Sequence, residues 1–116
     1  MVPSLSIQNS ISIARHNTGI VIPVYLPPEI DIARGKLLLR DTVASYIQHV
    51  DDPAVVCLSV DGKEFGADTA SQLAKDFGVG VCVSATNRGK LQSASLGIQY
   101  LLEKQDLRYF AVVDQD

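Results

Sequence analysis

Four short apolar runs rich in β-branched residues, with helix-like stretches between them, constrain this chain more than any other feature of its 116 residues. The runs are Thr18 to Tyr25 (TGIVIPVY), Ala54 to Val60 (AVVCLSV), Val79 to Ser84 (VGVCVS) and Arg108 to Val113 (RYFAVV). They are continuous apolar tracts, not alternations of apolar and polar positions. Strands of that kind are buried on both faces. Alternating with helices, they predict an α/β fold, a Rossmann-like parallel sheet with helices on both faces.

The intervening stretches carry the helical period. Lys36 to Val50 places Leu39, Val43, Ile47 and Val50 on one face. Ala67 to Phe77 turns Ala70, Leu73, Ala74 and Phe77 inward, with Gly78 as its stop. A third helix, capped by Asn87 or its neighbours, runs to about Lys104 with Leu91, Ala94, Ile98 and Leu101 on one stripe. Right-handed crossovers put the carboxyl ends of all the strands at one edge, where open α/β sheets bind their ligands. That edge collects Pro23-Val24-Tyr25, Asp61-Gly62, Ser84 to Lys90 and Asp114-Gln115-Asp116, which are far apart in sequence.

Composition narrows the function classes. Apolar residues make up 47% of the chain, enough for a core in one small domain. The formal net charge is −3 and the basic residues form no stripe, which disfavours a nucleic-acid partner. No segment has the apolar length of a transmembrane helix, and Met1 to Asn17 lacks the pattern of a signal peptide. Cys57 and Cys82 each sit inside an apolar run. Reduced core cysteines are the expectation there, with a disulfide or a metal pair as the alternative. A reducing, cytoplasmic setting fits this usage.

Several residues at the expected ligand edge have chemistry to offer. Side chains two apart on a strand point the same way, so Asp114 and Asp116 face one side if the strand continues through them. Two such carboxylates suit a hard cation, Mg²⁺ or Mn²⁺, bound together with substrate phosphates. The plainer reading is a solvated acidic turn. Asp61 can accept hydrogen bonds from a base edge or a ribose hydroxyl, or it can be an Asp-Gly turn residue. Pro23 marks a strand end or bulge, and Tyr25 offers either a stacking ring or a rim side chain. Asn87-Arg88-Gly89-Lys90, at a helix start, suits a diphosphate or is an ordinary cap with exposed basic residues. The spacing of a P-loop is absent. His16 and His49 have no partner at ligand spacing, and no Ser-His-Asp arrangement stands out.

Together these pieces resemble the nucleotide-sugar-binding half of a family 2 glycosyltransferase of the GT-A fold, over roughly Gly19 to Asp116. The Pro-x-Tyr-like turn is Pro23-Val24-Tyr25, and the Asp closing the second strand is Asp61. The Asn-x-Gly-Lys start and the later glycine are Asn87, Gly89, Lys90 and Gly97, and the Asp-x-Asp motif is Asp114-Gln115-Asp116. The chain departs from the family pattern at Gly62-Lys63 and at Ser93-Ala94-Ser95, where many members have Ala-Arg-Asn.

The resemblance implies a nucleotide-diphosphate sugar as donor, a UDP-sugar first, and a glycan, lipid or small molecule as acceptor. Asp116 would hold the Mg²⁺ or Mn²⁺ and Asp114 would share it or contact the ribose. Asp61 and Tyr25 would hold the base, and Lys90 the diphosphate. It also implies that residues 18–116 are the donor-binding part, truncated at the Asp-x-Asp motif, with Met1 to Asn17 as an extension. The acceptor half and its catalytic base would then lie beyond this chain, no catalytic residue is assignable, and the last strand would be an exposed edge prone to self-association. Two alternatives stand beside this reading. One is a non-catalytic doubly wound or receiver-like domain, with Asp61 as its phosphorylatable residue. The other is a nucleotidyltransferase, although Tyr25-Leu26-Pro27-Pro28 replaces the glycine-rich basic loop of that class.

Overall fold

The computed structural model describes residues 17–28 and 31–116, so the expected N-terminal extension, Asn17 apart, lies outside the described residues. Strands β1 (Thr18–Val24), β2 (Val56–Val60), β3 (Gly80–Val83) and β4 (Tyr109–Val112) form one all-parallel sheet in the order β3-β2-β1-β4. Helices α1 (Ile32–Ile47), α2 (Ala67–Phe77) and α3 (Lys90–Lys104) connect them. The register runs Ile20↔Val56 to Val24↔Val60 on one side of β1 and Thr18↔Tyr109 to Val21↔Val112 on the other. The first two crossovers step one way across the sheet and the third steps back. With right-handed connections, this places α1 and α2 on one face and α3 on the other. No helix among the described residues is long and apolar enough to cross a membrane.

Burial follows the continuous apolar runs. Val21, Ile22, Val24, Val56, Leu58 and Val60 are fully enclosed, with Leu39 and Val43 of α1 and Ala70 of α2 over one face and Leu101 of α3 over the other. Helix α2 lies where its period places it and stops at Gly78, whose φ of 77° is the left-handed conformation that glycine adopts without strain. Arg40 of α1 pairs with Asp76 of α2 at 3.1 Å and lies over the Phe77 ring, tying these two helices together.

Two element starts and one helix face differ from expectation for local reasons. Helix α1 begins at Ile32, not Lys36, because Gly35 serves as a small contact residue: its amide closes the first turn on the Asp31 carbonyl at 3.0 Å, and an added Cβ would meet Leu26 at 3.1 Å. The run starting at Ala54 opens with a 3₁₀ turn, Pro53–Val55, capped by the Asp52 carboxylate on the Ala54 amide at 2.9 Å. On α3, Leu91 is 87% exposed, and the inward face is Ser93, Ala94, Gly97 and Leu101. At 3.6 residues per turn Leu91 lies about a quarter-turn from the middle of that face. The helix is seated on small residues, which an apolar count overlooks.

Strand β4 is an edge of the sheet, with Tyr109 53% and Val112 43% exposed.

Candidate functional site

The chain reverses its direction of travel across the sheet between β1 and β4, and a cavity of about 400 Å³ opens at their carboxyl ends. Such a switch point is where the two flanking connections leave toward opposite faces and leave a crevice between them. Pro23, Tyr25, Asp61, Asn87, Lys90, Asp114 and Asp116 all line this cavity, together with Val24 and Gln115. Residues that the sequence spreads over most of the chain are thus brought to one place.

Asp61 is buried and already has work. Its Oδ1 accepts from the Arg88 amide at 2.8 Å and its Oδ2 from the Gly89 amide at 3.0 Å. A carboxylate accepting backbone N–H groups makes charge-assisted bonds, roughly twice as strong as neutral ones. Asp61 therefore anchors the loop that leads into α3 and so positions Asn87 and Lys90. An ionised carboxylate has about four lone-pair sites, so Asp61 retains acceptor capacity toward the cavity. The residue that follows is a glycine for a local reason. Gly62 has φ 99°, and a Cβ there would lie 2.7 Å from the Phe65 ring, so a side chain is excluded.

Helix α3 starts at Lys90 with Gly89 as its N-cap, so Asn87 is exposed in the preceding loop and is not itself the cap. The small inward face of α3 lets it press onto the sheet. Ser59 and Ser93 exchange bonds across that contact, Ser59 Oγ donating to the Ser93 carbonyl at 2.6 Å and Ser93 Oγ to the Ser59 carbonyl at 2.7 Å. Ser93 is therefore a buried fastening of α3 to β2.

Regular pairing of β4 ends at Val112, but the alternation of exposed and half-buried residues continues to Asp116. Gln115 holds this extension. Its Oε1 accepts from the Tyr25 amide at 2.7 Å and its Nε2 donates to the Tyr25 carbonyl at 3.0 Å, while Thr42 Oγ1 donates to the Gln115 carbonyl at 2.9 Å. The two aspartates flanking Gln115 are thereby fixed beside the end of β1. Both also border a second cavity of about 420 Å³, formed with Leu38, Asp41, Thr42, Ser45 and Tyr46 of α1.

The Asp114 carboxylate pairs with the Lys90 ammonium, and both side chains are well exposed, 69% and 62%. An exposed pair of this kind contributes little to stability, about 0–1 kcal/mol, and exchanges readily for another cation. Among the described residues no group of three or more His, Cys, Asp or Glu could hold a metal ion. The acidic donors here are two carboxylates on one rim. Two carboxylates are too few for a resident metal held by protein alone, and a hard cation here would need further oxygen ligands from a phosphate or from water.

Tyr25 is half-exposed. Its ring centroid lies 4.8 Å from that of Phe65, tilted by 35°, which forms an apolar ledge beside the cavity. Sequence reasoning placed Gln115 and Ser84 at this edge without giving either a role, and it overlooked Phe65. Ser84 Oγ accepts from the Gly62 amide at 3.0 Å and donates to the Thr86 carbonyl at 2.8 Å, joining the two glycine-bearing loops. A signal existed for Gln115, whose amide can pair with a neighbouring backbone as a further strand residue would. For Phe65 and Ser84 only the fold supplies one. His49 is exposed, and Cys57 and Cys82 are free thiols, as expected.

Comparisons with protein-family models, with curated proteins and with solved structures give no match to this chain.

Proposed function

We propose that this chain is the donor-binding region of a glycosyltransferase, taking a nucleotide-diphosphate sugar together with a divalent cation at the β1–β4 crevice. The observation carrying this reading is the convergence of Tyr25, Asp61, Asn87, Lys90, Asp114 and Asp116 on one cavity at the switch point of a parallel sheet. An apolar ledge, an ammonium group and paired carboxylates in one crevice match the base, diphosphate and cation of such a donor. The strand order also separates this reading from a receiver-like domain, whose sheet runs in the order 2-1-3 about the first strands, against β3-β2-β1-β4 here.

On this reading the nucleobase lies on the Tyr25 ring, supported from behind by Phe65. Asp61 uses its remaining lone pairs on a base N–H or a ribose hydroxyl while its other contacts hold the Arg88-Gly89 loop. Lys90 leaves Asp114 and moves to the diphosphate. Asp116 and Asp114 hold Mg²⁺ or Mn²⁺, which when bound acts as a Lewis acid toward the departing nucleoside diphosphate. Gln115 keeps both carboxylates at the crevice. The sugar is transferred to an acceptor hydroxyl.

Electron paramagnetic resonance tests this directly. Free Mn²⁺ gives a signal that a protein-bound ion loses. UDP and the chain together are expected to remove more signal than the sum of their separate effects. A merely additive loss for UDP, GDP and dTDP alike would refute the reading.

A further inference from the structure

Strand β4 ends the sheet on one side, and nothing among the described residues pairs with its outer edge. The Val113 amide donates inward to the Val21 carbonyl at 3.0 Å. Backbone groups of successive strand residues face opposite sides, so the N–H and C=O groups of Phe110 and Val112 point outward. Proline, a bulge or a charged side chain usually blunts such an edge. Tyr109–Val112 contains no proline or charge and pairs with β1 in unbroken register. Charge stands at its ends, with Arg108 exposed before it and Asp114 exposed after it.

One face of the strand is open as well. Side chains alternate, so Phe110, Val112 and Asp114 share the face on which α3 lies. A Cβ at Gly19 would meet both Phe110 and Leu101 of α3, and Asp114 pairs with Lys90 at the start of α3. The Tyr100 flank of α3 leans on Gly80 of β3. Leu91 and Leu102, about three turns apart, fall on the opposite flank, toward β4. They are 87% and 54% exposed, and Val112 is 43% exposed beside them.

We propose that β4 is a homodimer interface, at which a second copy of this chain adds its own β4 antiparallel about a twofold axis at Ala111. The residue order along the strand selects this partner. In an isologous contact each pairing occurs twice, once from either side. With the axis at Ala111, Phe110 meets the partner's Val112, and both present outward backbone groups that exchange hydrogen bonds. Aromatic and β-branched residues placed opposite each other in this way are favourable cross-strand pairs. The same register sets Arg108 level with the partner's Asp114 at each end of the contact. The Arg108 amide is turned inward to the Asn17 carbonyl at 2.9 Å, so the ladder stops short of it and the long side chain makes the ion pair. Asp114 is 69% exposed even with Lys90 against it, and its carboxylate has lone pairs left for a guanidinium. An axis at Phe110 would instead set Arg108 level with the partner's Val112, and one at Val112 would set Asp114 level with the partner's Phe110. Strand β3, the other edge, begins with Gly80 and has no charged residue beside either end. A contact this short makes a weak dimer that forms as concentration rises. The pairing needs neither nucleotide nor cation, so its test is separate from that of the donor site.

Sedimentation equilibrium of the full chain over a wide concentration range should show monomer and dimer alone. Arg108→Asp turns both ion pairs into like-charge contacts and should weaken the dimer by about tenfold. Adding Asp114→Arg should restore a large part of that loss. Amide hydrogen exchange reads the register in the unsubstituted chain. The Phe110 and Val112 amides should become protected as concentration rises, while the edge amides of β3 do not. A chain that stays monomeric or grows past the dimer overturns the proposal. So does a dimer that Arg108→Asp leaves unchanged, or one in which the Phe110 and Val112 amides exchange as fast as in the monomer.

Discussion

Replacing Gly97 by alanine tests how α3 is seated, and through that how the site is positioned. An alanine Cβ would lie 2.4 Å from Val21 Cγ1 and 3.3 Å from Ser59 Cβ. The Val21 contact is about 1 Å shorter than ordinary van der Waals separation. Val21 is fully buried at the centre of the sheet and has nowhere to retreat. Either its side chain leaves a staggered rotamer or α3 lifts, and overpacking of this kind costs about 1–3 kcal/mol. A lift also stretches the Ser59–Ser93 bonds, now 2.6 and 2.7 Å. A buried polar group left without its partner costs about 1–3 kcal/mol. Against this, removing a glycine from a helix interior gains about 1 kcal/mol. The net expectation is a loss of about 2–4 kcal/mol. Urea unfolding followed by far-UV circular dichroism measures it. For a slope near 1–2 kcal/mol/M, the midpoint should fall by about 1–4 M. Adding Val21→Ala to Gly97→Ala should cost less than the two single losses combined, because the clash is with that side chain. A Gly97→Ala protein as stable as the wild type, or more stable by the helix-propensity gain, would refute the close seating of α3.

Asp61→Ala removes both carboxylate bonds to the Arg88 and Gly89 amides and should destabilise by about 2–4 kcal/mol in the same assay, with those two amides exchanging faster. Asp61→Asn should fall between. The Arg40 guanidinium, and then Gln72, hold the Asp76 carboxyl below its ordinary value of 3.8. Because the folded-state value is depressed, the stabilisation is present above the unfolded value and lost as pH falls through the folded one. An NMR titration should show this depression, and Arg40→Ala should move Asp76 back toward 3.8. The exposed β4 edge, with Tyr109 and Val112, should drive concentration-dependent self-association in light scattering, and Val112→Lys should reduce it. A monodisperse wild-type monomer at high concentration would contradict that.

The sheet was legible because burial on both faces leaves uninterrupted apolar runs, and each of the four runs contains a strand. The ends of α1 and the inward face of α3 were less legible, because both depend on where another element sits. Gly35 continues a helix because Leu26 packs against it, and Gly97 faces inward because Val21 does. The candidate site divides along the same line. Charged and aromatic residues at strand ends could be nominated from type and position, and the switch point gathers them. That Asp61 spends two acceptors on its own loop, that Lys90 lies on Asp114, and that Gln115 pairs with the backbone of Tyr25 are long-range contacts. Nothing local in the sequence marks the partners, although the amide of Gln115 carries the donor and acceptor that such a pairing needs.

Calorimetric titration of UDP into the folded chain, with and without Mn²⁺ and repeated on Asp116→Ala, tests the proposed donor site most directly. The account predicts heat of binding that requires Mn²⁺ and disappears in the variant. Absence of binding to UDP, GDP and dTDP with Mn²⁺ present, by a chain shown to be folded, would contradict it.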